Sequence, residues 1–423
     1  MFGNQQRKWR KRAGEYADQA TKVLHYRRDQ LGGEAIAALE GVRDRARGCS
    51  RDRAFTGDQL EKEAADWEAT LRAHGGRIHP KTFWTDNVET FLVAAIIVLG
   101  IRAFFLQPFI IPTNSMAPTY SGMHFEIFEQ GDAPPAVFQP FRFLLLGARS
   151  HTVEAAGEGP VRLPLELAPG GGARPAFSLV EGRKFGFVPT TKKEYRIAVG
   201  EELDSFRVPV DFNADRLLRE RFFPDSASWS EVVRAQRATG RLQTLGGGRA
   251  WLTVPDESFQ PGETVLRFDL LSGDALFVDR LSYHFVRPEP GDPIVFRTGN
   301  IEGMRGPRGE PVDKYYIKRL AGTGGDDLTI HAPALFRNGE PALGNVAFRD
   351  NAQQIDGYPG YVPEGLLAPG RSYEVPGDGF FVLGDNSPNS LDSRYWGSFD
   401  PRDTVGRALW IYYPFSHRWG PAH

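Results

Sequence analysis

The sequence predicts a mainly β protein with a helical N-terminal region, one transmembrane helix and a large mixed α+β insertion, and three observations carry that expectation. Its 47 glycines and 31 prolines, concentrated after Pro108, punctuate short strands and turns rather than long helices. From Thr264 onward the runs ALFVDRLSY, DPIVFR, YYIKRLAG, DLTIHA and GFFVLGD are strand-like, each bounded by Gly, Pro or Asp. Ahead of them all, residues 91–101 read FLVAAIIVLGI, the most apolar stretch of the chain. At 423 residues the chain is long enough for two or three domains. Its 41% hydrophobic and 25% charged content and net charge of -2 are globular values and argue against general nucleic-acid binding. The single cysteine, Cys49, excludes an intramolecular disulfide framework and any multi-cysteine metal site.

Residues 1–83 are polar and helix-friendly, with arginines interleaved with acids and apolar positions recurring at Ala35, Ile36, Leu39 and Val42. A cytoplasmic helical region is expected there. Its basic opening, RKWRKR, suits anionic lipid better than nucleic acid. Nothing apolar follows those charges for many residues, so no secretory signal peptide is expected at the start.

The apolar run 91–101 is short for a span, which needs about 20 residues. Extending it to 84–106 reaches that length, with Trp84 suited to one interface and Arg102 able to snorkel toward the other. Arg77 and Lys81 favour a cytoplasmic N-terminus, and Arg102 argues weakly against it. The C-terminal bulk is then expected on the outer face. Residues 107–122 begin the β domain and 264–423 complete it. Between them, 123–263 read as an insertion of mixed type. Tyr195, Ile197 and Val199, then Phe206, Val208, Val210 and Phe212, alternate as half-buried strands do. SWSEVVRAQRATG is helical in pattern, with Ser228 and Glu231 fitting a capping box and Gly240 a stop.

One residue in QPFIIPTNSMAPT resists a structural explanation. Pro108, Pro112 and Pro118 fix φ and end a helix, but Ser115 does neither. Serine becomes a nucleophile only when a base takes its proton. The histidines offer no partner motif: His124 and His151 begin the insertion, His284 falls in a strand-like run, and no His-Glu-x-x-His pattern occurs. Lysine serves as base only when burial leaves it neutral. Lys318 in KYYIKRLAG suits that demand, since alternation places Tyr316, Lys318 and Leu320 on one face; the competing reading is an exposed strand lysine. PGGGARP and LGGGRA lack the ending of a phosphate loop and read as turns. Asp385 and Asp392, seven residues apart, do not establish a glycosidase pair.

Taken in order, the apolar segment, QPFIIPTNSMAPT, SGDALFVDRLSY with PGDPIVF, YIKRLAGTGGD, and FVLGDNSPNSLDSRYWG with VGRA resemble the boxes of the type I signal peptidases, the membrane-bound serine-lysine endopeptidases that remove signal peptides. The resemblance implies that family's β fold, a bacterial cytoplasmic-membrane location and secreted preproteins as partners, with the export machinery less directly. It makes Ser115 the nucleophile and Lys318 the general base, with no metal or organic cofactor. Thr113 takes the place of a serine whose hydroxyl helps bind the oxyanion, and Ser390 matches a serine that orients the lysine. Asp392 and Arg394 match a supporting ion pair, while Met116, Tyr316 and Ile317 fall beside the pocket for the substrate's small residue. Asn114 replaces a glycine, a change that asparagine tolerates best. SP at Ser387 and Pro388, and GTGGD in place of GLPGD, depart from the family pattern within turns. Two rival readings stand beside this one: a self-cleaving serine-lysine protease, and a catalytically inactive anchored binding protein.

Overall fold

The structure is a computed structural model that describes residues 2–80, 83–129, 131–184, 187–304 and 311–422. The chain divides into two compact units, Met1–Gly100 and Ile101–His423.

In the first unit, α1 (Phe2–Arg27), α2 (Gly33–Arg51) and α3 (Gly57–His74) pack around Val23, Leu39, Val42, Leu60, Trp67 and Leu71. The helical N-terminal region expected from the sequence is present, and of the four periodic positions Leu39 and Val42 reach the core while Ala35 and Ile36 flank it. Helix α3 starts where Thr56 and Gln59 form a reciprocal capping box. Helix α4 (Phe83–Phe104) follows. Its window Asn87–Phe104 has a mean hydropathy of 1.8 and no buried residue, so it is long and apolar enough to cross a membrane. Lys81 lies outside the described residues.

The second unit is mainly β. After Phe105 the chain enters β1 (Leu106–Ile110) directly. The next strands are β2 (His124–Ile127), β3 (Arg149–Glu154) and β4 (Thr264–Leu271), which form a three-stranded sheet of order β2-β4-β3. Helix α5 (Gln139–Leu146) stands between β2 and β3. Then come β5 (Ala275–Asp279), β6 (Pro293–Arg297), β7 (Tyr315–Thr323), β8 (Phe380–Leu383) and β9 (Thr404–Tyr413). With β1 they build the main antiparallel sheet, of order β1-β5-β9-β6-β7-β8. The run ALFVDRLSY, expected to be one strand, ends at Asp279, whose carboxylate accepts from Leu281 N at 2.8 Å and Ser282 N at 3.1 Å. That turn places His284 in a short 3-10 helix.

Between β3 and β4 lies a second sheet with the helices Ala214–Phe222 and Trp229–Ala238. Ser228 caps the latter by accepting from Glu231 N at 3.2 Å, while the Glu231 carboxylate accepts from Ala227 N rather than from the cap residue. Only half of the expected box therefore forms. Leu163, Ile197, Val208, Leu217, Val232 and Leu252 make a core to which β4 adds Val265, Leu266, Phe268 and Leu270. The main sheet has its own layers: Ile111, Met116, Tyr120, Val278 and Val295 in one, Ile294, Phe296, Leu320 and Val382 in the other. The two regions join at a root where the chain passes between them, and touch again where Phe415 N donates to Leu145 O at 2.9 Å. At the root, Asp274 N donates to Ser121 O, and Ser121 N to Asp274 Oδ2, both at 2.8 Å.

Candidate active site

Pro112 ends the extended chain after β1, whose direction is kept by Ile111 N donating to Asp274 O at 2.8 Å. Residues Asn114–Met116 then form a single 3-10 turn. Met116 and Tyr120 are fully buried and hold the turn down, which leaves Ser115 half-buried at the surface. Asn114 works here through its side chain, not through a glycine-like backbone. Its Oδ1 accepts from Gly122 N at 2.8 Å, its Nδ2 donates to Met123 O at 3.3 Å, and its φ is not positive. The loop closes so tightly that a Cβ on Gly122 would lie 2.2 Å from the Thr113 carbonyl carbon.

Lys318 comes from the middle of β7, opposite Ile294 of β6, and is 3% exposed. It is not the exposed strand lysine of the alternative reading. Its Nζ hydrogen-bonds Ser115 Oγ across 203 residues of chain. Burial pulls its pKa from the ordinary 10.5 down to about 8; Asp392 and Asp385 push the other way, and Arg394 adds to the lowering. A buried lysine with that pKa, bonded to a hydroxyl, can take the hydroxyl proton.

Two buried ion pairs frame this contact. Arg394 and Asp392 are wholly buried and joined at 2.8 Å; Arg394 Nη2 also donates to Ser387 O at 2.6 Å, and Asp392 Oδ2 accepts from Gly384 N at 3.0 Å. The loop that follows β8 is thereby clamped onto the serine turn, where Asn386 N donates to Ser115 O at 3.1 Å. Sequence reasoning missed the second pair. Arg319, next to Lys318, binds Asp385 through two bonds of 2.7 and 2.6 Å, and Asp385 accepts in turn from Thr119 Oγ1 in the serine loop. It also missed Arg418, which donates to Pro118 O at 2.9 Å, Thr119 O at 2.7 Å and Asp274 Oδ2 at 2.6 Å.

Ser390 is buried and, among the described residues, its Oγ has no hydrogen-bond partner, so the bond to Lys318 that its expected orienting role requires is not formed. Thr113 is exposed and makes no side-chain capping bond. Tyr316 lies with its ring centre 5.7 Å from Lys318 Nζ, and Ile317 packs in the Met116 layer. Beside the pair, two strand edges are unfilled. Among the described residues, strand β8 pairs with residues 319–323 of β7 alone, which leaves the start of β7 bonded on one side, and β1 is bonded to β5 alone. The Phe109 and Tyr315 rings, 5.1 Å apart, bring those two edges together. Among the described residues no group of acidic, histidine or cysteine side chains is placed to hold a metal.

Residues 254–413 match a family model described as signal peptidase, peptidase S26. Signal peptidase I of Leptolyngbya laminosa is 32% identical over 163 residues, which cover 38% of this chain and 70% of the relative. The chain belongs to the signal peptidase I family. Probable signal peptidase I-1 of Synechocystis sp. (strain ATCC 27184 / PCC 6803 / Kazusa) is 30% identical over 167 residues, 40% of this chain and 75% of that one. A solved signal peptidase I from Enterococcus faecalis V583 aligns with 29% of this chain and 97% of its own at 26% identity; its TM-score of 0.22 is too low to bear on the fold. Membership makes the chain a serine protease of signal-peptide removal. The signal peptidase match contains Lys318, Ser390, Asp392 and Arg394, whereas Ser115 stands ahead of it.

Proposed function

We propose that this chain is a membrane-anchored signal peptidase that cuts exported preproteins with Ser115 and Lys318 through an acyl-enzyme. The observation that carries the reading is the bond between Ser115 Oγ and a buried lysine whose pKa is lowered to about 8. Neutral Lys318 takes the Ser115 proton as Oγ attacks the scissile carbonyl. The resulting ammonium returns the proton to the leaving amine, which departs as the C–N bond breaks and the ester remains. The same neutral amine then takes a proton from water, whose oxygen attacks the ester and releases the signal peptide's carboxyl end and Ser115. The Ser115 amide and the Thr113 hydroxyl are the oxyanion donors. Asp392 with Arg394 holds the loop that carries Ser390, whose carbonyl accepts from Arg394 Nη2 at 3.3 Å, while the expected orienting bond from the Ser390 hydroxyl to Lys318 is not made.

The substrate enters as an extended strand between the free edges of β1 and β7, with main-chain bonds on both sides. Tyr316 and Ile317 border the pocket for its small residue, while Met116, wholly buried under the serine turn, packs beneath it rather than lining it. Residues 83–104 span the cytoplasmic membrane and the segment before them remains inside, while 106–122 with 273–423 form the catalytic domain on the outer face; the boundary expected at 264 moves to 273 because Thr264–Leu271 pairs with β2 and β3 and packs in the insertion's core. Lipid, secreted preproteins and the export machinery are the partners of that arrangement.

Processing of a preprotein in proteoliposomes tests the mechanism. Ser115→Ala and Lys318→Ala should each lower turnover by more than about 10³-fold without unfolding the protein. Lys318→Arg should fail as well, because arginine stays protonated; near-normal turnover by that variant overturns the mechanism. Cleavage of the chain itself with none of the preprotein would favour the self-cleaving reading, and no cleavage by the intact protein the binding-protein reading.

A further inference from the structure

Helix α5 and the short turn before it carry Val137, Phe138, Phe141, Phe143, Leu144 and Leu145, every one of them at least 45% exposed. Five of these recur at i, i+1, i+4, i+7 and i+8, a single helical stripe. The polar member points the other way. Arg142 lies against the protein, donating to Asp269 Oδ2 at 2.9 Å and Glu126 Oε2 at 2.5 Å, with the Asp269 side chain only 1% exposed. A surface helix in water turns its apolar stripe inward and its charge outward. This one is fixed in the reverse sense: no residue of it is buried, and Phe415 N donates to Leu145 O at 2.9 Å and Tyr413 OH to Phe143 O at 3.0 Å.

The occupant of that face follows from where the unit is tethered. Helix α4 ends at Phe104, and Arg280 N donates to Phe105 O at 2.9 Å, so in chain order the main sheet follows the apolar helix with no linker between them. Strand β1 then runs five residues, roughly 17 Å, to Ile110. Ile110 is opposite Ala275, and Ala275 opposite Tyr413, which places Tyr413 about two strand spacings, ~10 Å, from the end of β1, and the Tyr413 hydroxyl reaches α5 at Phe143 O. Exposed Ile110 and Phe415 continue the apolar surface toward it.

We propose that α5 is an interfacial foot: its Phe and Leu side chains insert among the acyl chains of the bilayer while Arg142, tied to the protein, takes the place of the usual water-facing side. The proposal rests on the membrane-anchored reading above. The inserted region thereby gains a specific partner, lipid, and holds the groove between β1 and β7 at a fixed height over the membrane surface, where a signal peptide emerges from it.

The test uses the full chain in liposomes, with Cys49→Ser and one new cysteine carrying an environment-sensitive fluorophore, against nitroxide-labelled lipids. A label at Leu144→Cys should be blue-shifted and quenched by acyl-chain nitroxide, as should one at Val98→Cys in α4, whereas a label at Asp225→Cys should report water. An unquenched Val98 label overturns the spanning reading and this proposal with it. A quenched Val98 label with Leu144 in water overturns this proposal alone. A Leu144 label that is blue-shifted but unquenched identifies a protein occupant, and one that shifts only when a preprotein is added identifies the signal peptide; either result overturns the lipid assignment. The double variant Phe141→Asp, Leu144→Asp should process a membrane-bound preprotein roughly tenfold more slowly. Its cleavage of a short soluble peptide in detergent should be unchanged.

Discussion

Lys318 is destabilising and useful for one reason, its burial. With a pKa of about 8 in the folded protein against 10.5 for an ordinary lysine, the unfolded chain binds more protons between those two values, so stability rises with pH across that window. Below about pH 8 the full penalty applies. Lys318→Met should therefore stabilise the fold by about 3 kcal/mol at pH 6 and lose that advantage above about pH 10.5, as read from denaturant midpoints. A variant no more stable than wild type at pH 6 would show that the ammonium is solvated or paired after all. In the same protein kcat/KM should climb toward pH 8 along an acid limb set by this lysine. Ser115 was legible as a serine between prolines with no structural role of its own, whereas Lys318 stood out only through the resemblance of its run to a family box, its stretch alone leaving an exposed strand lysine open. Arg319 and Asp385 were not legible, since an arginine beside a lysine reads as an ordinary pair of strand charges and only the fold brings Asp385 to it. The one available signal was at Arg319, whose run YYIKRLAG is apolar around the charge; Asp385, followed by Asn386 and Ser387, carried none. Arg418, linked to Asp274 across 144 residues, left no signal in spacing.

At the scale of elements, the site is a serine turn pressed against the loop after β8, and Gly384 sets how close they come. A Cβ there would lie 2.1 Å from Ser390 Oγ and 2.5 Å from Ser115 O, distances that force something to move. Gly384→Ala should lower kcat by on the order of 10²-fold with KM changed little, and destabilise by about 1–3 kcal/mol, by steady-state kinetics and thermal melting. Wild-type kinetics in that variant would mean that the loop yields without disturbing the dyad. Strands such as PIVFR and FFVL were readable from their bounded apolar runs, and Trp229–Ala238 from its cap and stop. The Asn114 substitution was readable as tolerable but for another reason, because a side-chain bond to Gly122 is a tertiary fact and a backbone preference is a local one. Periodicity also names a face without naming what covers it: the alternation of Tyr195, Ile197 and Val199 is visible in the sequence, and the partner strand that pairs with them is not.

For the whole molecule the division into a catalytic sheet and an inserted module is our reading, and the root gives it a test. A Cβ on Gly273 would lie 2.8 Å from the Gly122 carbonyl carbon, so the two ends of the module meet. Strand β4 shares the module's core, and we take the excisable piece as 123–272. Replacing it with a short glycine-serine linker should leave a folded protein that still cleaves a short signal-sequence peptide and selects less well among full-length preproteins. A protein that no longer melts cooperatively would show that the module belongs to the catalytic fold. Chain order across that root also sets a clock. Ser115 is synthesised 203 residues before the lysine it bonds, so at about 5–20 residues per second it waits roughly 10–40 s for a base. The module's own core, from Val153 to Leu270, is complete within that interval and can fold first. On the reading proposed above, a newborn copy therefore carries a harmless hydroxyl, and would acquire the power to cut peptide bonds only after the segment bearing Ser115 has left the ribosome far behind.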